Sequence, residues 1–415
     1  MKNLRGACLF GQSGGPTAVI NASAAGVFLE AMKHEQITNI YGAEHGIKGI
    51  LDEKLIDIRQ EEIKELEYLK NTPSSALGSV RYKLKPSHVD DTDYKRILEV
   101  FKKYDVRYFF YNGGNDSMDT CNKISKYLQS QKYDCNVIGV PKTIDNDLFG
   151  TDHCPGYGSA AKYVATSMME LYLDTHVYDT GMITIVEVMG RNAGWLTASA
   201  SLASIKGLGP DLIYLPEQPF DVDEFVADVM KVAALKENKV LVAISEGIKD
   251  KEGRYISEYS SKLERDSFGH ALLGGTAMVL AGIISEKTKI KVRPIEFSLL
   301  QRCAAHIASG RDIEEAFNAG KMAVKYAVEG HTDQMVAFVR DENSEEYKIS
   351  YQLLPVELAA NTEKKIPDAW IKEGHTGLTD DFYKYALPLI QGASNSPVED
   401  GLPRFARLKK ISAKK

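Results

Sequence analysis

Val140-Pro141-Lys142-Thr143-Ile144-Asp145-Asn146-Asp147 follows an apolar run, 136–140, that reads as a short buried strand. The segment gathers a lysine, a hydroxyl and two carboxylates into one turn-forming stretch. Proline and the Asn-Asp step break regular structure, so these side chains are expected on a loop at a strand end. In an open α/β sheet the carboxyl ends of the strands are where ligands bind. A carboxylate there can take a proton from a substrate hydroxyl, and a lysine can hold a phosphate. Taken alone, the segment reads equally well as an ordinary surface turn.

Two further strand ends change that balance. The run 7–10 reads as a buried strand closed by Gly11-Gln12-Ser13-Gly14-Gly15-Pro16-Thr17, with a helix expected over about 18–32. Strand, glycine loop and helix point backbone N–H groups at an anion, although glycines serve a plain tight turn too. The run 107–111 reads as another strand, ending in Asn112-Gly113-Gly114-Asn115-Asp116-Ser117, with a helix to about 128. Three ligand-type loops after three strands point to a phosphate-handling cleft at the sheet's carboxyl edge. Arg81, Lys83 and Lys85 alternate, so in an extended segment they share one face. That spacing suits a phosphate clamp or a solvated basic edge.

The remainder alternates in the same way. Residues 94–104 carry helical spacing with one apolar face, and 157–178 reads as a long helix with Val164, Met168 and Leu171 on one face. Strands are expected at 182–188, 211–215 and 239–244. Met189-Gly190-Arg191 follows the first of these and Ser245-Glu246-Gly247 the last. A helix over 222–234, a charged loop over 250–262, a helix over 268–285 and an extended 291–297 complete a second parallel sheet. The charge-dense 52–70 reads as solvated surface. Residues 334–339 make one more strand, 392–403 is turn-rich, and the basic 404–415 reads as a frayed, solvated tail.

Bulk properties bound the class. At 415 residues, 44% hydrophobic and 26% charged, the chain is expected to fold as two domains of an ordinary globular protein. A net charge of −6 argues against a general nucleic-acid binder, while a local basic cleft can still take anionic small molecules. Five scattered cysteines without a CxxC pair make a zinc site or a disulfide framework improbable and favour a reducing compartment. No signal-type segment and no membrane-length apolar run is visible, so no membrane partner and a cytoplasmic location are expected.

Ser13-Gly14-Gly15, Gly113-Gly114-Asn115-Asp116-Ser117, 141–147, Met189-Gly190-Arg191, Glu246-Gly247 and Gln301-Arg302 resemble, in order and spacing, the motifs of the phosphofructokinase family. The resemblance spans about residues 5–340, and within the family it is to the pyrophosphate-dependent branch. It implies an α/β fold of two Rossmann-like domains with mainly parallel sheets and the active site in the cleft between them. The donor (pyrophosphate/Mg²⁺) domain is expected at 1–155 with about 303–345, and the sugar-phosphate domain at 156–302 with part of the C-terminal region. Residues 346–415 form an extension with no assigned role.

The branch rests on Asp116 and Lys142, where ATP-dependent relatives have glycine. A carboxylate fills the space of a nucleotide's inner phosphate and repels it. An ammonium balances charge on the leaving phosphate when no nucleotide anchors the donor. The resemblance implies that Asp145 is the base toward the C1 hydroxyl of fructose 6-phosphate, with Asp147 in support. Thr143, Ile144, Met189, Gly190, Arg191 and Glu246 line the acceptor pocket, and Arg293, Leu299 and Arg302 fall at its 6-phosphate end. Gly14, Gly15, Gly114, Arg81 and Lys142 lie on pyrophosphate, and Asn115 and Asp116 at Mg²⁺.

An arginine of this set can come from a neighbouring subunit, which implies a homodimer or homotetramer. Three departures stand out: Asn115 where many relatives have aspartate, Leu299 where the ATP-dependent pattern has histidine, and Met182 where those relatives carry arginine. An ATP-dependent kinase of the same fold and a non-catalytic sugar-phosphate-binding regulatory subunit are the alternatives. A nicotinamide-binding enzyme lacks its GxGxxG with a downstream acid.

Overall fold

The computed structural model describes residues 4–259, 275–360 and 362–414. The expected loop 250–262 and helix 268–285 fall partly outside them; within the described residues a helix spans Thr276–Thr288, with Gly275 before its first turn.

Two parallel sheets organise the chain. The first contains β1 (Gly6–Gln12), β2 (Ile37–Ala43), β3 (Leu55–Asp57), β4 (Val106–Gly113) and β5 (Asn136–Pro141). The second contains β6 (Ile183–Val188), β7 (Leu212–Tyr214), β8 (Val240–Ser245) and β9 (Val292–Glu296). The chain then returns to the first sheet with β10 (Gln334–Arg340) and β11 (Ile349–Pro355). The orders are β11-β10-β5-β4-β1-β2-β3 and β7-β8-β6-β9. All pairings are parallel except β2–β3 and β10–β11 at the two margins of the first sheet.

β1, β4 and β5 are continuous apolar runs because helices cover both faces, as parallel sheets require. The helix Ile20–Ala31 is buried almost all round between the sheet and the helix Gly310–Val328. Two glycines allow this approach. A Cβ on Gly26 would lie 2.0 Å from the Phe317 carbonyl oxygen, and one on Gly320 would lie 2.1 Å from that of Ser23. The helix Thr92–Lys103 buries Tyr94, Ile97, Leu98, Val100 and Phe101, the face that its spacing predicts.

The halves are joined by more than a linker. The buried Asp312 carboxylate accepts from the Gly156 and Ser159 N–H groups (2.9 and 2.8 Å), at the start of the second-half helix Tyr157–His176. This holds that helix on the Gly310–Val328 helix of the first half.

Two surface expectations are corrected. Residues 52–70 supply β3 and bury Leu55, Ile58, Leu66 and Leu69 beneath their charged side chains. The basic C-terminus is not frayed: it is strapped along the first half. The Asp57 N–H donates to the Ile411 carbonyl (2.8 Å), the Ala413 N–H to that of Leu55 (2.8 Å), and Ile56 and Ser412 form an antiparallel bridge. Lys409 and Lys410 donate their amides to Glu61 (both 2.7 Å), and the Arg404 guanidinium pairs with Glu65. Each correction explains the other, since the acidic 61–65 run and the basic tail neutralise one another.

Residues after 346 are no separate extension. β11 completes the first sheet, and Ile366, Leu378, Phe382 and Leu389 join the second half's core.

Candidate active site

The loops after β1, β4 and β5 share one edge because the strands run in register: Gln12 lies opposite Asn112, and Gly113 opposite Pro141. Buried Gln12 donates through Nε2 to Asn21 Oδ1 (2.9 Å) and accepts from the Leu77 N–H (3.1 Å). Asn21 Oδ1 also accepts from the Ala76 N–H (2.9 Å). That pair fixes the 72–77 loop, and the Ser79 hydroxyl then donates to the Gly14 carbonyl (2.7 Å). Arg81 is thereby delivered to the glycine loop.

In the second half Val188 lies opposite Ser245, so Met189-Gly190-Arg191 and Glu246 emerge side by side. Gly190, at φ +138°, donates its N–H to Glu246 Oε1 (3.4 Å), and Met189 donates to the buried Gln301 Oε1 (3.2 Å). The two sheet edges face each other across a cavity of about 610 Å³.

Of the residues singled out from sequence, Gly14, Gly15, Arg81, Gly114, Asn115, Asp116, Lys142, Thr143, Ile144, Asp145, Asp147, Met189, Arg191, Glu246 and Arg302 line this cavity. Gly190 stands just behind it through its bond to Glu246. Arg293 and Leu299 are not among the lining residues. Arg293 lies on β9 and pairs with Asp174 (2.9 Å), and Leu299 is an exposed side chain. Arg302 lies against the glycine loop: a Cβ on Gly15 would be 2.9 Å from its Nη1. Its guanidinium therefore stands within reach of both the glycine loop and the Asp145 turn.

Electrostatics separate the groups. Lys142 is buried, and its ammonium donates to the Gly15 carbonyl (2.8 Å). Burial pushes its pKa down to about 8 against the opposing pull of Asp145 and Asp147. Asp116, in the first turn of the helix Asn115–Ser130, is exposed to the same cavity. The Asp145 carboxyl is pushed up by burial and held back by the charges of Lys142, Arg191 and Arg302. Burial, then Asp145 and Glu363, push Asp147 up to about 7, and burial with Asp145 lifts Glu246 to about 8.

The turn itself is rigid. Asn146 is left-handed (φ +56°), buried, and tied by Nδ2 to the Tyr385 hydroxyl (2.7 Å) and by Oδ1 to the Cys154 N–H (2.9 Å).

A divalent metal fits one corner. Asn115 donates Nδ2 to Asp147 Oδ2 (3.1 Å), which leaves its Oδ1 buried without a partner. Among the described residues no three acidic, histidine or cysteine side chains of the cleft bring ligand atoms within 4.8 Å of one another. A hard cation would take Asn115 or a carboxylate beside it and complete its shell with water and phosphate oxygens.

Sequence reasoning missed Thr362 and Glu363, which also line the cavity. They carry no motif. Only their folding back from a distant part of the chain reveals them.

The family model for Phosphofructokinase matches residues 8–327. The chain is 43% identical over 417 residues to a pyrophosphate–fructose 6-phosphate 1-phosphotransferase of Xanthomonas campestris pv. campestris, covering 99% of this chain and 98% of that protein. It is 41% identical over 405 residues to the protein of the same name from Halomonas elongata, covering 97% and 96%. The crystal structure of a pyrophosphate-dependent phosphofructokinase from Nitrosospira multiformis superposes with a TM-score of 0.88 at 40% identity, covering 98% of both chains. With matches of that extent, on two parallel sheets that face one another across a phosphate-type cleft, the chain belongs to the phosphofructokinase family.

Proposed function

We propose that the protein transfers a phosphoryl group reversibly between pyrophosphate and the C1 hydroxyl of fructose 6-phosphate, giving fructose 1,6-bisphosphate and phosphate. The observation that carries this reading is Lys142. Its ammonium is buried on the Gly15 carbonyl under the glycine loop, in a cavity that also receives the Asp116 carboxylate. A fixed cation at that depth suits a small, densely charged donor, and Asp116 repels the inner phosphate of a nucleotide.

In this reading Asp145 accepts the C1 hydroxyl proton. The freed oxygen bonds to one phosphorus of pyrophosphate as the bridging P–O bond breaks. The departing phosphate keeps the bridging oxygen with its electron pair, and Lys142 offsets that charge. Arg191 and Arg302 neutralise the oxygens of the group in flight, so catalysis is positioning and charge stabilisation. Asn115, with Asp116 or Asp147 beside it, would hold Mg²⁺, which would supply further neutralisation of phosphate oxygens. Thr143, Met189 and Glu246 hold the sugar. A homodimer or homotetramer belongs to this reading: Arg293, outside the cleft of its own chain, then serves the 6-phosphate in a neighbouring copy. Among the described residues no helix is long and apolar enough to cross a membrane.

The test is a donor comparison. Purified protein with Mg²⁺ and fructose 6-phosphate should turn over with pyrophosphate, and should run backwards from fructose 1,6-bisphosphate with phosphate. Turnover with ATP and none with pyrophosphate refutes the reading. Binding of sugar phosphate in a calorimeter without any turnover points instead to a non-catalytic regulator.

A further inference from the structure

We propose that the segment 362–366, beyond the residues matched by the family model, is a clasp that holds the two walls of the cleft in register, and that Glu363 is a positioning residue for phosphoryl transfer. The proposal rests on the functional reading above only for which reaction is affected.

The segment is attached to both halves within a few residues. On the first half, Glu363 forms an antiparallel bridge with Leu148, and the Lys364 N–H donates to the Asp147 carbonyl (2.8 Å). The Lys364 ammonium donates to the carbonyls of Thr151 (3.2 Å) and Asp152 (2.6 Å). Those residues are themselves tied to β10, since the Asp152 N–H donates to the Phe338 carbonyl (2.8 Å).

On the second half, Asn192 Nδ2 donates to Glu363 Oε1 (2.9 Å), the Trp195 indole donates to the Lys364 carbonyl (2.8 Å), and the Ile366 N–H donates to Glu217 Oε1 (3.3 Å). The same Glu217 oxygen accepts from the Gly194 N–H (2.8 Å). The backbone of Glu363 is therefore stapled to the turn that carries Asp145 and Asp147. Its side chain is stapled to the residue after Arg191.

Within this clasp Glu363 links the wall that carries the Asp145 and Asp147 carboxylates to the turn that carries the Arg191 guanidinium. Reactions of oriented groups are sensitive to such placement: an error of about 1 Å can cost on the order of a hundredfold in rate. The Asn192–Glu363 bond is the replaceable link, because both of its side chains are exposed, whereas the other bonds of the segment involve main-chain groups, buried Trp195 or the half-buried Lys364 and Glu217.

The experiment uses the full chain with Glu363→Ala, Glu363→Gln, Asn192→Ala and the Glu363→Ala/Asn192→Ala double variant. Steady-state kinetics are run with pyrophosphate and fructose 6-phosphate, and amide hydrogen exchange is measured across 189–195. Glu363→Ala and Asn192→Ala should each lower kcat about tenfold or more, with both KM values within about threefold of wild type. Exchange across 189–195 should quicken in both. Glutamine retains the acceptor oxygen, so Glu363→Gln should recover kcat to within about threefold, and the double variant should be no worse than either single one.

Four results overturn the clasp: kcat within about twofold of wild type in both alanine variants, a glutamine variant as impaired as alanine, losses that multiply in the double variant, or exchange across 189–195 that is unchanged in the alanine variants. Absence of pyrophosphate turnover in the wild type instead removes the functional reading, and unchanged exchange across 189–195 then still decides against the clasp.

Discussion

Replacing Lys142 by methionine keeps the side chain's length and removes its charge, and its consequences can be worked from the structure. The folded protein lowers this ammonium's pKa from 10.5 to about 8. At about 1.4 kcal/mol per pKa unit, the fold disfavours the charge by about 3 kcal/mol. Below pH 8 the ammonium is charged in both folded and unfolded chains, and the penalty is fully present. Between pH 8 and 10.5 the unfolded chain binds more protons than the folded one, so the wild type gains stability as pH rises. The stability advantage of Lys142→Met over wild type should therefore shrink by about 3 kcal/mol from pH 7 to pH 10.5. The bond lost to the Gly15 carbonyl shifts the whole comparison but not its trend.

Activity should move oppositely. In Lys142→Met, kcat/KM for pyrophosphate should fall about a hundredfold or more at pH 7. The wild type should lose activity on an alkaline limb near pH 8 that the variant lacks, because kcat/KM reports ionisations of the free enzyme. Denaturant unfolding at several pH values and initial rates in a phosphate-release assay supply both measurements. A variant within a few-fold of wild type, or one with an unchanged alkaline limb, refutes the reasoning.

Three other outcomes are expected. Asp145→Asn should reduce kcat about a thousandfold while fructose 6-phosphate still binds in a calorimeter; a loss under tenfold would remove Asp145 as the base. Asp116→Gly combined with Lys142→Gly should shift the ratio of pyrophosphate to ATP turnover toward ATP, and an unchanged ratio discards the charge argument for the donor. Gly26→Ala places a Cβ 2.0 Å from the Phe317 carbonyl oxygen, where backbone cannot yield cheaply. It should destabilise the protein by about 2 kcal/mol or more, and an unmoved thermal midpoint contradicts the packing described for that helix pair.

Sequence reasoning reached the elements that repeat a local pattern. Apolar runs closed by glycine or Asn-Asp loops located β1, β4 and β5, and parallel register then brought their loops to one edge without further information. It failed where the deciding partner is remote. Nothing near Glu363 announces that it folds beside Asp147 and Asn192. The 52–70 segment looked solvated because its charges mask Leu66 and Leu69, whose burial depends on other elements. The tail looked free because its acidic counterpart lies far earlier in the chain, with Glu65 standing 339 residues before Arg404. Arg302 was reached by motif and Arg293 by motif alone: the first lines the cleft, and the second is bound to Asp174 outside it.

The strapped C-terminus has a practical corollary. β3 is short and stands at the margin of the seven-stranded sheet, a place where exposed main-chain donors and acceptors invite pairing with other molecules. Residues 411–413 occupy that margin through the Asp57 and Ala413 amides. Loss of residues 411–413 to proteolysis would leave a bare rim open to self-association.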